Sequence, residues 1–283
     1  MDDHPGKGLE AQGYLTDPHY RQDFEEVREF GAWQRRSRTA EQSVIGVYWG
    51  YDGAQGIGVP PRLYNQIARK IAAVPSLNLP RTAELFAEIN VAMADAGIDA
   101  WHWKYDQNLW RPVVAIRAEA APDGDPLWAP YGAPQTNKTN TRPTTPPFPA
   151  YPSGHATFGA ALFQVLRLRS AANATAISPQ DVLDAEAGGA PVSGESFKFV
   201  SDEFDGRAVD ADGSLRQRIE REIPSYARAI WENAVSRVYL GVHWRFGGLP
   251  RNAADNIGGV PLGLKVGKKV HAFFAAAPSL GGP

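Results

Sequence analysis

Apolar residues recur along this chain at helical intervals, and no stretch keeps the two-residue alternation of a half-buried strand. After Pro60 and Pro61, which suit a first helical turn, Leu63, Ile67, Ile71 and Val74 make one apolar face. Thr82 is placed to cap a helix through Phe86, Ile89, Val91 and Met93 that stops near Gly97. A separate helix then begins around Ile98 and carries Trp101, Trp103 and Lys104. The strongest pattern runs from Ser153 to Leu168, with Pro152 just ahead and Phe158, Ala161, Leu162, Val165 and Leu168 at helical spacing. Pro224 suits the first turn of a long helix through Tyr226, Ile230, Trp231, Ala234, Val238 and Tyr239, reaching about Gly241 or His243. Shorter helices are expected over Asp17–Phe30 and Ser43–Trp49, and a last one over Ala253–Phe274 despite its four glycines. The expected class is all-α, a helical bundle with minor β-structure.

Two stretches lack such a pattern: Ala120–Pro152 and Ser170–Asp212 are long and rich in Pro, Thr, Asn, Ala and Gly. Loops of that length tend to be functional or mobile. The first runs straight into Ser153-Gly154-His155 and reads as a wall or lid; the second reads as an insertion. With 283 residues and no visible boundary, residues 1–283 are expected to form a single domain with a site-bearing core over about 43–270. Asn137-Lys138-Thr139 and Asn173-Ala174-Thr175 fit the glycosylation pattern, which is common by chance. A net charge of -2 gives no global reason to bind nucleic acid or an acidic membrane surface. Neither a secretory leader nor a membrane span is expected, because no basic apolar stretch opens the chain and no apolar run is long enough. Zero cysteines exclude disulfides, thiolate ligands and cysteine nucleophiles, so sulfur chemistry is almost absent.

Three segments concentrate cations and histidines. Lys104 and Arg111 stand seven residues apart, about two helical turns, but Pro112 disfavours the α conformation at Arg111 and places it at a junction between helices. Alone, two such cations read as solvated surface charges; Trp101, Trp103, Trp110 and Val113 around them argue for a half-buried setting. Ser153-Gly154-His155 opens a helix, where free N–H groups favour negative charge and Gly154 lets an oxyanion approach. The plainer reading makes Ser153 an N-cap and His155 a first-turn residue. Arg237 and His243 lie roughly 240° apart on an ideal helix. They meet one anion only if Arg237 reaches around or the helix ends near Gly241, and both routes stay open.

Taken in order, Lys104-x6-Arg111-Pro112, Pro152-Ser-Gly-His155 and Ser236-Arg237-x5-His243 resemble the vanadium haloperoxidase and type 2 phosphatidic acid phosphatase superfamily. The runs 148–159 and 236–246, with 47–53 and 60–66, look especially like the vanadium chloroperoxidases. The resemblance implies an α-helical bundle holding vanadate, with His243 bonding vanadium and Lys104, Arg111 and Arg237 neutralising the oxygens. Ser153 and Gly154 would hydrogen-bond those oxygens, and His155 would act as the acid–base group. Asp52 resembles the carboxylate that pairs with Arg237, and Trp101 and Phe148 match residues lining the halide side. The implied reaction is oxidation of chloride or bromide by hydrogen peroxide to hypohalous acid, which passes to a small organic acceptor. Phosphate or sulfate suits the same cage. The family usually has Asp four residues after the last histidine; here position 247 is Gly, and Asp255 or a backbone carbonyl are the nearby substitutes. Two rivals share the motifs: an acid phosphatase with a phosphohistidine at His243 and His155 protonating the leaving group, and a non-catalytic anion-binding relative. Relatives often build two bundles, so an apolar face here could be covered by a second copy in a homodimer.

Overall fold

The computed structural model of the protein describes residues 18–34, 37–73, 77–120, 123–171, 174–190 and 192–276. Its helices are α1 Pro18–Phe30, α2 Ala40–Tyr48, α3 Pro60–Ala72, α4 Leu79–Gln107, α5 Pro112–Ala118, α6 Gly154–Ser170, α7 Pro179–Glu186, α8 Tyr226–Tyr239, α9 Arg245–Gly248 and α10 Gly259–Ala276. The axis of the bundle is α6, buried on nearly every face from Gly154 to Leu166 and packed against α4, α8 and α10. Three glycines that count against α10 by propensity explain the approach. Gly259, Gly263 and Gly267 recur every fourth residue, and a methyl at Gly263 would stand 2.2 Å from the Thr157 carbonyl oxygen. The stripe lets α10 lie backbone to backbone on α6.

Several boundaries differ from the sequence expectation. Helix α4 runs unbroken through Gly97, whose missing side chain makes room for Phe158 of α6; a Cβ there would sit 2.9 Å from that ring. Its cap is Asn78, which accepts from the Arg81 amide at 3.0 Å with Pro80 in the first turn, so Thr82 lies inside the helix and its hydroxyl donates to the Asn78 carbonyl. In α8 the cap is Ser225, accepting from Arg228 N–H at 3.1 Å, and Pro224 precedes the helix. The last helix starts at Gly259 rather than Ala253. Asp17, Val74 and Asn173 lie outside the described residues.

The second long stretch is folded against the core. It contains α7, capped by the reciprocal Ser178–Asp181 pair, and strand β1 Phe197–Val200, which pairs antiparallel with β2 Glu220–Ile223 so that Phe197 faces Ile223. Phe197 stacks on Phe163 of α6 at 6.0 Å and joins this layer to the core. Each large side chain buried in this way contributes about 1.5–3 kcal/mol. The first stretch has neither helix nor strand at its described positions and crosses the ends of α4 and α5, where Ala150 N–H bonds the Leu109 carbonyl at 2.9 Å. Among the described residues no helix is long and apolar enough to cross a membrane.

Candidate active site

Four chain segments end or turn at one point of this bundle. Lys104 sits in the last turn of α4 and Arg111 is the N-cap of α5, with φ -76° and ψ 153° as Pro112 requires. Ser153 caps α6. Helix α8 ends just past Arg237, where Leu240 closes the last turn and Gly241 takes φ +69°. A side chain at Gly241 is excluded twice, by that dihedral and by the Gly31 carbonyl oxygen 2.3 Å from its Cβ position. The turn swings the chain round so that Arg237 and His243 face the same pocket. Of the two routes left open by sequence, the structure takes the early helix end.

Lys104 is fully buried, and its ammonium donates to the carbonyls of Pro149, Ala150 and Pro152 at 3.0, 3.2 and 2.6 Å. Arg111 donates from Nε to the Phe148 carbonyl at 2.8 Å and from Nη1 to the Val242 carbonyl at 2.7 Å. The same Nη1 stands 3.0 Å from His243 Nε2. Since a guanidinium only donates, Nε2 accepts and the His243 proton sits on Nδ1. Arg237 forks onto Asp52 with bonds of 2.7 and 3.0 Å. His155 donates from Nε2 to the Gly50 carbonyl at 2.6 Å. Lys104 and Arg111 both lie over the Phe148 ring, at 5.4 and 4.9 Å from its centroid. Trp101 packs on Phe148 at 5.2 Å and closes over Gly154, where a Cβ would be 2.8 Å from the indole.

The structure brings the residues predicted for the site close together: Lys104, Arg111, His155, Arg237 and His243 interact with one another, Asp52 pairs with Arg237, and Phe148 and Trp101 pack beside Lys104, Arg111 and Gly154 at the start of α6. The position of Lys104 differs in detail from a cation aimed only at an anion, because loop carbonyls take all three of its donors. Ser153 N–H bonds the Gly247 carbonyl at 2.7 Å, and its hydroxyl lies 3.5 Å from Ala156 N–H. Sequence reasoning missed Tyr64 and Asn233, which fix the His155 carbonyl with bonds of 3.0 and 2.7 Å and bond each other at 2.9 Å. It also missed Asp23, which accepts from Phe246 N–H at 2.8 Å and holds the start of α9. No local pattern marks these residues.

The electrostatics are lopsided. Burial, and then the Arg237 charge, pull Arg111 down to about 9. Burial, Arg111 and Arg237 hold Lys104 well below its ordinary value. His155 falls to about 3 through burial first and Arg237 second. His243 is likewise held well below its ordinary value by burial and then by Arg111, Lys104, Arg237 and His155. Arg111 Nη2 and Arg237 Nε are buried donors without an acceptor. An anion with several oxygens satisfies both donors and offsets the repulsion; no cation would. Among the described residues no three His, Asp or Glu side chains gather as cation ligands. The donor set thus fits a multiply charged oxyanion rather than a metal cation.

The fold agrees with the comparisons to known proteins. A family model described as the VCPO second helical-bundle domain matches residues 84–278, and the chain belongs to the vanadium haloperoxidases. It is 44% identical over 224 residues to the vanadium chloroperoxidase of Curvularia inaequalis, a match covering 74% of this chain and 36% of that protein. A solved structure described as the first bacterial vanadium-dependent iodoperoxidase aligns with TM-score 0.57 and 23% identity, over 96% of this chain and 51% of the other. A holo-type bacterial vanadium-dependent chloroperoxidase aligns with TM-score 0.55 and 17% identity, over 90% and 47%. At those identities the two structures speak for the fold. The chain spans about a third to a half of the length of these relatives.

Proposed function

We propose that this chain is a vanadate-dependent haloperoxidase that oxidises chloride or bromide with hydrogen peroxide to hypohalous acid. The observation that carries the proposal is the pair of buried, unmatched donors on Arg111 and Arg237 beside the His243 imidazole. In this reading His243 would hold the vanadate through Nε2, Arg111, Arg237 and Lys104 would balance its charge, and the Ser153 hydroxyl and the Gly154 N–H at the start of α6 would add hydrogen bonds. Bound V(V) supplies Lewis-acid activation of peroxide without changing its oxidation state.

The protein groups do the rest. The His155 Nε2 proton is committed to the Gly50 carbonyl, so Nδ1 is the ring atom that would exchange a proton with peroxide, and a bound oxyanion would offset the cations that lower its proton affinity. Lys104, held by the carbonyls of 149, 150 and 152, would supply a fixed positive charge beside the bound peroxide. Trp101 and Phe148 exclude water from the halide side. The balance is halide plus hydrogen peroxide plus one proton to hypohalous acid plus water, with a small organic acceptor consuming the product. Phosphate or sulfate competes for the cage. The site-bearing core over about 43–270 works within one all-α domain. Val91, Ile98 and Tyr105, exposed in one row along α4, support a homodimer that analytical ultracentrifugation would detect.

The decisive assay is bromide-dependent halogenation with vanadate and peroxide, set against hydrolysis of a phosphate monoester without vanadium. Halogenation lost in His243→Ala is the expected result. Phosphatase turnover in place of halogenation would overturn the proposal.

A further inference from the structure

The ring of His243 is served on one side only. Its Nε2 faces Arg111 at 3.0 Å, so the proton lies on Nδ1, and Nδ1 is buried without a hydrogen-bond partner. A buried N–H left so weakens the group that carries it, because a donor with no acceptor cannot stabilise charge building up on the ring. Opposite Nδ1 stands Gly247, and what would surround a side chain there is informative. A Cβ on Gly247 would have the His243 Nδ1 as its one close neighbour, 3.8 Å away, an ordinary contact distance. The other glycines around the pocket behave differently: Gly154 would drive a Cβ into Trp101 at 2.8 Å, and Gly241 would meet a carbonyl oxygen at 2.3 Å.

Backbone strain gives no reason for glycine at 247 either. The residue lies in α9 and is not among the positive-φ positions. Two hydrogen bonds hold its main chain, from its N–H to the Trp244 carbonyl at 3.1 Å and from Ser153 N–H to its own carbonyl at 2.7 Å. Any side chain at this position is therefore delivered to Nδ1 by a fixed backbone that also positions the start of α6. We infer that Gly247 is the residue that sets how tightly His243 holds an oxyanion, by withholding an acceptor from Nδ1 where the fold has room for one.

This rests on the proposed oxyanion site and deepens it, so the test reads binding rather than turnover. Dissociation constants for vanadate, and separately for phosphate, are measured by titration calorimetry on the full chain and on Gly247→Asp, Gly247→Asn and Gly247→Ala. The carboxylate reaches Nδ1 from that Cβ and is expected to tighten vanadate binding roughly 10-fold or more, the usual scale for such a partner of a ligating histidine. The neutral amide accepts the same hydrogen bond without the charge and gains less. Alanine fits the space but accepts nothing, and is expected to bind like the natural chain. Aspartate binding vanadate no better than alanine, with halide oxidation intact, overturns the inference and leaves the function standing. The same ranking for phosphate, with vanadate bound by none, sinks the haloperoxidase reading and keeps the inference. If the aspartate variant fails to fold, asparagine against alanine decides it in the same way.

Discussion

Two buried groups of charges sit a few turns of chain apart and obey opposite rules. In one, Arg216 reaches both Glu203 and Asp210, and Thr136 adds a hydroxyl bond to Glu203. The guanidinium has a carboxylate on either hand. In the other, Lys104, Arg111 and Arg237 gather with a single carboxylate, Asp52, which is committed to Arg237. The first group sets one guanidinium between two carboxylates, leaves Glu203 Oε1 without a partner, and ties the loop at 136 to the segment 203–216. The second is deliberately short of negative charge, and its surplus appears as lowered proton affinities and unmatched donors. A buried cation with its counter-charge built in is structure; a buried cation without one is a place for something to bind.

The same substitution should then have different consequences in the two places. Arg216→Met leaves Glu203 buried and unpaired and is expected to cost about 3–5 kcal/mol of stability. Chemical denaturation would measure it. The loss should shrink as pH falls, because burial already pushes the Glu203 carboxyl up to about 7 and a protonated Glu203 needs no partner. Arg111→Met should destabilise the ligand-free protein less than Arg216→Met, because relief of cation repulsion offsets the lost bonds to the Phe148 and Val242 carbonyls, while lowering halide oxidation by roughly 10²–10³-fold, the usual loss for one anion-stabilising donor. Equal destabilisation by both changes would erase the contrast.

Acid sharpens it further. The folded value of His155, about 3, lies below its unfolded value near 6.5, so the stability it contributes is present above pH 6.5 and is lost as pH falls toward 3. The slope is at most about 1.4 kcal/mol per pH unit. Saturating phosphate or vanadate should flatten it by offsetting the cations, which thermal melts across pH with and without the anion would show. The smallest effect belongs to the rim. Gly154→Ala pushes a methyl against Trp101, a half-exposed ring with room to swing, and is expected to cost about 1–2 kcal/mol by thermal melting.

What the sequence disclosed and what it hid divide along the range of the interactions. The motif residues were legible because each sits at a helix end with a local signature: Pro112 behind Arg111, a serine cap at 153, a glycine at 241. The break placed at Gly97 was wrong because that glycine answers to Phe158 on another helix, and no reading of residues 90–104 contains that fact. Thr82 lost the cap to Asn78, whose partner Pro80 was the better signal. Strands β1 and β2 are four residues each and join partners twenty or more positions apart, so alternation within either is too brief to register. Tyr64, Asn233 and Asp23 act through main-chain atoms of distant residues, and their roles exist only once the bundle has formed.

The anchoring of Lys104 has a consequence for redesign. The three acceptors that grip its ammonium belong to the peptide units of 149, 150 and 152, not to side chains. Replacing Phe148 or Trp101 to admit a bulkier acceptor molecule would therefore reshape the mouth of the pocket while the lysine keeps its footing, since no point mutation deletes a carbonyl. The grip on Lys104 and the side chains of Trp101 and Phe148 are thus separable, and libraries can vary those two residues and leave the cradle alone.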